Sequence, residues 1–145
     1  MSTSFQTPSK KKNKQTIPAM ANSYTLLADL NAGRCSNTAE VRLLRFWKAW
    51  NTSRNIGRSG ELMSLDMLLI DENATLMQAS IAAVRQMRFR QSLKKGSLYS
   101  LTGFDVTRSN PKYRLSDATL SIRFNDGTFF EKIETTARTI PTELF

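Results

Sequence analysis

Hydrophobic and polar residues alternate along much of the chain, and this pattern predicts β-strands. The alternation is most regular from Met63 to Leu69, where the odd positions are apolar and Ser64 and Asp66 fall on the opposite face. Similar patterns predict strands at 40–50, 74–81, 98–108 and 120–124. We therefore expect a mainly β chain whose core is built from five strands.

Two of the predicted strands are interrupted. Between Val41 and Trp50 the alternation breaks at Leu43–Leu44, as a bulged or bent strand requires. Between Leu98 and Arg108 it shifts at Gly103, which predicts a kink at that glycine. We expect the first strand to be long and bent.

The aromatic residues divide between the core and the surface. Trp47 and Trp50 would lie on opposite faces of a regular strand, so one is predicted in the core and Trp50, nearer the following loop, is predicted to be exposed. The phenylalanines assigned to the core are Phe46, Phe89, Phe104 and Phe124.

One helix is predicted between the third and fourth strands. Residues 82–94 are rich in helix formers, and Lys94 and Lys95 followed by Gly96 are typical of a helix C-terminus. The resulting order, β-β-β-α-β-β with a long bent first strand, is that of the five-stranded Greek-key barrel called the OB-fold. An SH3-like barrel is the alternative, but it does not normally place a helix of this length there.

The composition favours a binding protein with a polyanionic partner. The 145 residues include 21 Lys and Arg against 12 Asp and Glu, a net charge of +9. One cysteine, Cys35, and no histidine exclude a disulfide framework, a Cys/His zinc site and the common nucleophile–histidine pairs. Asp66, Asp71 and Glu72 have little support as magnesium ligands of a nuclease, because Asp66 lies on an alternating strand and the other two in a turn. We expect no enzyme activity, no metal and no cofactor.

The ends of the chain differ from its middle. Residues 1–22 are polar and are predicted to be a disordered basic arm, residues 23–132 the OB-fold domain, and residues 133–145 a C-terminal tail. No apolar run is long enough for a membrane span or a signal peptide, so an intracellular location without a membrane partner is expected. The arm contains a cluster typical of a nuclear import signal or a phosphate-attracting tail, with a plain solvated tail as the alternative: Lys10, Lys11, Lys12 and Lys14.

Four segments resemble the DNA-binding OB domain of the replication protein A large subunit: Glu61–Met67, Gly96–Leu101, Asn110–Tyr113 and Leu120–Asn125. The resemblance covers residues 23–132 and is strongest to plant single-domain relatives of that subunit, a set described as a domain of unknown function. It implies single-stranded DNA binding in the nucleus, in DNA replication, repair or recombination, with other replication protein A-like subunits as partners. Tyr113 matches one of the family's two stacking aromatics. The other aligns near Ser80–Ile81, which cannot stack well.

An OB-fold holds single strands across its second and third strands and between two loops, with cations on the phosphates and aromatic rings under the bases. The chain places such residues at the first loop and at the loop between the fourth and fifth strands. The candidate nucleic-acid-binding residues are Lys48, Trp50, Arg54, Arg58, Arg108, Lys112, Tyr113 and Arg114. Solvated surface is the alternative for the cations, and packing over the barrel end is the alternative for Tyr113. A protein-interaction OB module and a single-stranded RNA binder remain alternative functions.

Overall fold

The computed structural model of the protein describes residues 23–51, 60–111, 116 and 118–142. Within these residues the chain forms eight strands and one short α-helix. The strands are β1 (Gly33–Cys35), β2 (Ala39–Asn51), β3 (Glu61–Ile70), β4 (Leu76–Ala82), β5 (Leu98–Thr102), β6 (Phe104–Arg108), β7 (Leu120–Arg123) and β8 (Phe129–Ile133). The helix, α1, spans Gln86–Phe89, and a 3-10 turn at Leu27–Asp29 precedes β1.

The strand pairings run in a closed circuit. β2 pairs with β3, β3 with β4, β4 with β7, β7 with β6, and β5, the continuation of β6, returns to β2. The β4–β7 pairing is parallel and the others are antiparallel. This is the predicted five-stranded barrel in the predicted order, with β5 and β6 as two halves of one strand. The short outer strands β1 and β8 pair with β6 and β5 and were not predicted.

The division between β5 and β6 lies at Gly103, as predicted. Its φ of +71° is in the left-handed region, and a Cβ added there would lie 2.7 Å from the carbonyl oxygen of Gly127. The hydroxyl of the fully buried Thr128 donates to the Gly103 carbonyl at 2.8 Å. The kink therefore requires a residue without a side chain, for both its dihedral angle and its space.

Register shifts interrupt β2 at two points, between Leu43 and Arg45 and between Ala49 and Trp50. The first confirms the break predicted at Leu43–Leu44. Beyond Arg42, β2 is paired with β3 but no longer with β5. The second half of β2 therefore extends past the closed part of the barrel.

The core consists of the inner faces of the barrel strands, with Val41, Leu43, Leu65, Met67 and Leu69 among its buried members. Phe89, Phe104 and Phe124 are buried, as predicted. The prediction for Phe46 was wrong, because its side chain is 38% exposed. Phe46 lies on the half of β2 that pairs with β3 alone, so no described strand lies beside it on the other side.

The helix is shorter than predicted. Only Gln86–Phe89 is α-helical, and 3-10 turns at Ala83–Arg85 and Arg90–Ser92 flank it. Val84 and Met87 face solvent, and Phe89 and Leu93 supply its contacts with the core, so the segment lacks the continuous apolar face of a longer helix. No helix in the described part of the chain is long and apolar enough to cross a membrane.

The segment after β8 folds back on the barrel. The Arg42 guanidinium donates to the carbonyl oxygens of Gly96 at 2.7 Å, Pro141 at 2.8 Å and Ile140 at 3.2 Å. Ile140 is buried, and Arg138 lies over the ring of Tyr24 at 4.2 Å from its centroid. Packing thus continues beyond residue 133, into the segment expected from sequence to be a tail.

Candidate nucleic-acid interface

A row of four side chains crosses the outer face of the barrel. Strand register places Trp47 of β2 beside Asp66 of β3, Asp66 beside Ser80 of β4, and Ser80 beside Arg123 of β7. Directly paired residues share a face of a sheet, and the neighbours of Asp66 along β3 point into the core. At about 4.8 Å per strand, the row spans about 14 Å.

Asp66 is held in place by two serine hydroxyls. Ser64 and Ser80 both donate to its Oδ1 atom, at 2.8 and 2.9 Å. Ser64 lies two residues before Asp66 on β3 and so shares its face, while Ser80 is its partner on β4. Ser64 and Asp66, the polar residues of the alternating pattern in this strand, therefore lie on the outer face, where the Asp66 carboxylate is held in one position.

A cleft of about 160 Å³ lies beside this carboxylate, and most of its lining residues are of polar types. Residues of four strands line it, and Asp66 is the one carboxylate among its described lining residues. Prominent in the lining are Asp66, Ser80, Thr107, Arg108, Ser121 and Arg123. The cleft therefore brings the predicted residue Arg108 together with Arg123, which sequence reasoning did not select.

Trp47 lies on this outer face and not in the core, contrary to prediction. Its side chain is half-buried, and the Arg45 guanidinium lies 5.0 Å from its ring centroid, within cation–π distance. The extra residue at the first bulge, Leu44, explains the error: odd positions point inward at Val41 and Leu43 but outward at Arg45 and Trp47. The break in alternation at Leu43–Leu44 carried this signal.

Trp50 is 52% exposed, so the prediction that it would be the exposed tryptophan is confirmed. It lies opposite Leu62 near the end of β2, beside the second bulge. Lys48 is also exposed, but its partner is Leu65, so it projects from the face opposite to Trp47. Neither residue lines the cleft, and the binding roles of both stay predictions.

Five of the candidate residues fall outside the described part of the chain. They belong to two segments, 52–59 after β2 and 112–115 before β7. These residues are Arg54, Arg58, Lys112, Tyr113 and Arg114, and their roles also stay predictions. Trp50 and Arg108 lie next to these two segments, at the ends of β2 and β6.

Few cations of the described chain have a carboxylate partner, at the interface or elsewhere. In the described chain, the carboxylates within 4.0 Å of an arginine are Asp126, beside Arg85, and Glu40 and Glu72, both beside Arg138. No described carboxylate lies within that distance of the four exposed cations near the interface, and the same holds for exposed cations elsewhere, such as Arg34 and Lys132. The four near the interface are Arg45, Lys48, Arg108 and Arg123.

The three carboxylates considered as magnesium ligands have separate partners. Asp71 accepts backbone N–H bonds from Leu27, Asn73 and Thr75 at 2.8–3.1 Å, and Glu72 lies 3.5 Å from Arg138. Asp71 thus fixes the β3–β4 turn. Over the ranges that the structure describes, no three side chains of the types that bind metals are grouped together.

The family model described as domain of unknown function DUF223 matches residues 29–145. The chain belongs to the DUF223 family. Curated proteins include no significant match to it. The matched range extends through β8 and the segment that packs against Arg42, so the family unit includes the fold-back described above.

Solved structures similar to this DUF223 chain include OB-fold domains. The OB domain of a Methanosarcina mazei protein has a TM-score of 0.57 at 17% identity, covering 80% of this chain and 88% of that one. DNA-binding domain A of Saccharomyces cerevisiae replication protein A has a TM-score of 0.56 at 11% identity, covering 81% and 100%. Schizosaccharomyces pombe Pot1pC, solved bound to single-stranded DNA, has a TM-score of 0.57 at 8% identity, covering 80% and 90%. The resemblance to the replication protein A domain is thereby confirmed at the level of the fold.

Proposed function

We propose that this DUF223 domain binds single-stranded DNA on the outer face defined by Trp47, Asp66, Ser80 and Arg123. It acts as a binding module and not as an enzyme. The observation that carries the proposal is the combination, on and beside one face, of a half-buried indole with cations that no described carboxylate neutralises.

The two kinds of side chain supply the two interactions that single strands need. Arginine and lysine attract phosphates and release their condensed counterions. Aromatic rings stack on bases regardless of sequence, because each base has a π face. The second stacking aromatic of the replication protein A domain aligns near Ser80–Ile81, where this chain has no aromatic ring. Trp47 lies two strands from Ser80 on the same face and supplies a ring there. Trp50 adds an exposed ring farther along β2.

Other observations support a nuclear role in DNA replication, repair or recombination. The lysine cluster at positions 10–14 is typical of a nuclear import signal. Two of the similar structures belong to replication protein A and to a Pot1 domain bound to single-stranded DNA. Other replication protein A-like subunits are the protein partners that this role implies.

A fluorescence titration with labelled single-stranded DNA of mixed sequence tests the proposal. An oligomer of about 20 nucleotides exceeds the site of one OB-fold, and the matching duplex and RNA provide the comparison. We expect the single strand to bind more tightly than the duplex. The slope of log K against log salt should be about −2 to −4, as expected for about three to five phosphate contacts.

Other outcomes would contradict the proposal in different ways. Equal affinity for duplex would contradict single-strand binding on this outer face. No binding to any nucleic acid would favour the protein-interaction alternative, and clearly tighter binding to RNA would identify an RNA-binding module.

A further inference from the structure

A carboxylate at the centre of a surface that binds a polyanion requires an explanation. Asp66 lines the cleft, between Trp47 and Ser80 in the row across the strands. A phosphate near Asp66 would be repelled, and more strongly than in bulk water because part of the surroundings is protein. The ligand group that meets Asp66 is therefore a hydrogen-bond donor and not a phosphate.

The hydrogen bonds of Asp66 leave one oxygen for a ligand. Both serine hydroxyls donate to Oδ1, which accounts for the two lone pairs of that atom. Within the described chain no donor is bonded to Oδ2. Because Ser64 and Ser80 come from two strands, they fix the carboxylate on a rigid part of the barrel and leave Oδ2 as an acceptor of fixed position.

The four DNA bases differ in what they offer such an acceptor. Cytosine, adenine and guanine each carry an exocyclic amino group, and carboxylates accept from the N4 amino group of cytosine in DNA complexes. Thymine has no amino group, and its one ring N–H lies between two carbonyl oxygens that a carboxylate repels. In a single strand these edges are not occupied by base pairing.

We infer that Asp66 is a specificity-determining residue that favours bases with an exocyclic amino group over thymine. This inference rests on the proposed single-stranded DNA binding and adds a base preference to it. Trp47, one strand away, provides a ring on which the selected base or its neighbour can stack. Ser64 and Ser80 are positioning residues, since they act through Asp66.

Binding of oligo-dC and oligo-dT tests the inference. Labelled oligomers of about 12 nucleotides fit one OB-fold, and fluorescence anisotropy gives the ratio of their affinities. We expect the wild-type protein to bind oligo-dC about tenfold more tightly, within the range for recognition of one base. In Asp66→Asn the ratio should fall to about two or less, because the oxygen stays with the two serines and the NH2 group that replaces Oδ2 can donate to a thymine carbonyl but cannot accept from cytosine.

A matched variant controls for the change of charge. Asp29→Asn removes one negative charge from an exposed position on the 3-10 turn that precedes β1, so its ratio should remain that of the wild type. The amide introduced by Asp66→Asn keeps an oxygen that can accept from both serines, and an unchanged melting temperature would verify that the barrel is intact. The wild-type ratio needs no variant and tests the inference even if Asp66→Asn does not fold.

The possible failures are distinguishable. If wild-type protein binds both oligomers equally, the single-strand function stands and the base preference is wrong. If Asp66→Asn strengthens binding of both oligomers by the same factor, Asp66 is only a repulsive charge and the inference is overturned. If the wild type binds neither oligomer, the proposed function itself is wrong.

Discussion

Replacing Trp47 by alanine separates a role in stacking from a role in packing. If the indole stacks on a base, Trp47→Ala should weaken single-strand binding by about 1 to 3 kcal/mol, which is about 5- to 150-fold. Less than about a third of the side chain is exposed, so truncation also removes about 150 Å² of buried apolar area, or ~4 kcal/mol of stability. Loss of the Arg45 contact adds about 0.5 to 1 kcal/mol.

The two effects are measured separately. Denaturant unfolding gives the change in the free energy of unfolding, and anisotropy titration at about 25 °C gives the change in affinity of a folded domain. Trp47→Phe keeps a ring in place and should retain most of the affinity. Phe129→Ala removes an exposed aromatic residue from β8, an outer strand that is not in the row, and should leave affinity unchanged.

One result would refute the reasoning. If Trp47→Ala is destabilised but binds single strands as tightly as the wild type, the indole is a packing residue. The stacking role would then pass to Trp50 or to Tyr113, whose substitution by alanine has the same expected range of affinity loss.

Three further predictions concern stability. Gly103→Ala should lower the free energy of unfolding in denaturant by at least about 2 kcal/mol more than Gly96→Ala does. Both glycines have positive φ, but only a Cβ at position 103 meets a backbone oxygen; an equal loss of stability in the two variants would mean that the clash is relieved. Asp71→Ala should cost about 3 kcal/mol or more, since three backbone N–H groups lose a charged acceptor, and a cost under about 1 kcal/mol would contradict this account of the turn. Burial raises the pKa of Tyr99 in the folded state. The contribution of its neutral hydroxyl to the free energy of unfolding should therefore be fully present below about pH 10, the pKa of tyrosine in the unfolded chain, and should be lost as pH rises further. Tyr99→Phe should lose stability at about pH 7 with its bonds to Ser92 and Lys94, yet lack this alkaline loss in pH-dependent unfolding; identical alkaline profiles would exclude Tyr99 as the source.

Most of the barrel was predictable because its strands alternate against one core. The period of two identifies the inner face of β3 and β4 without knowledge of their partners. β1 has three residues, too few to show a period, and β8 pairs on one side only with weak alternation in burial. Local pattern alone could not identify those two strands.

The candidate site was less predictable, because side-chain direction depends on register. Trp50 could be chosen by its position near a loop, but the outward direction of Arg45 and Trp47 follows from one extra residue at Leu44. The role of Asp66 depends on Ser80, which lies 14 residues away and meets it only through strand pairing. Loop residues such as Tyr113 stay predictions of the sequence.

The parallel pairing of β4 with β7 has a consequence for how the barrel moves. This pairing joins only two residue pairs, Ala79 with Ile122 and Ser80 with Arg123, followed by the hydrogen bond from the Phe124 amide to the Ser80 carbonyl. It is the shortest pairing in the circuit, so local opening of the barrel should begin there, and the Phe124 amide should exchange with deuterium faster than the amides between β3 and β4. The row from Trp47 to Arg123 crosses the β4–β7 pairing. A DNA strand bound across this pairing would hold β4 and β7 together. Binding should therefore slow deuterium exchange at the Phe124 amide.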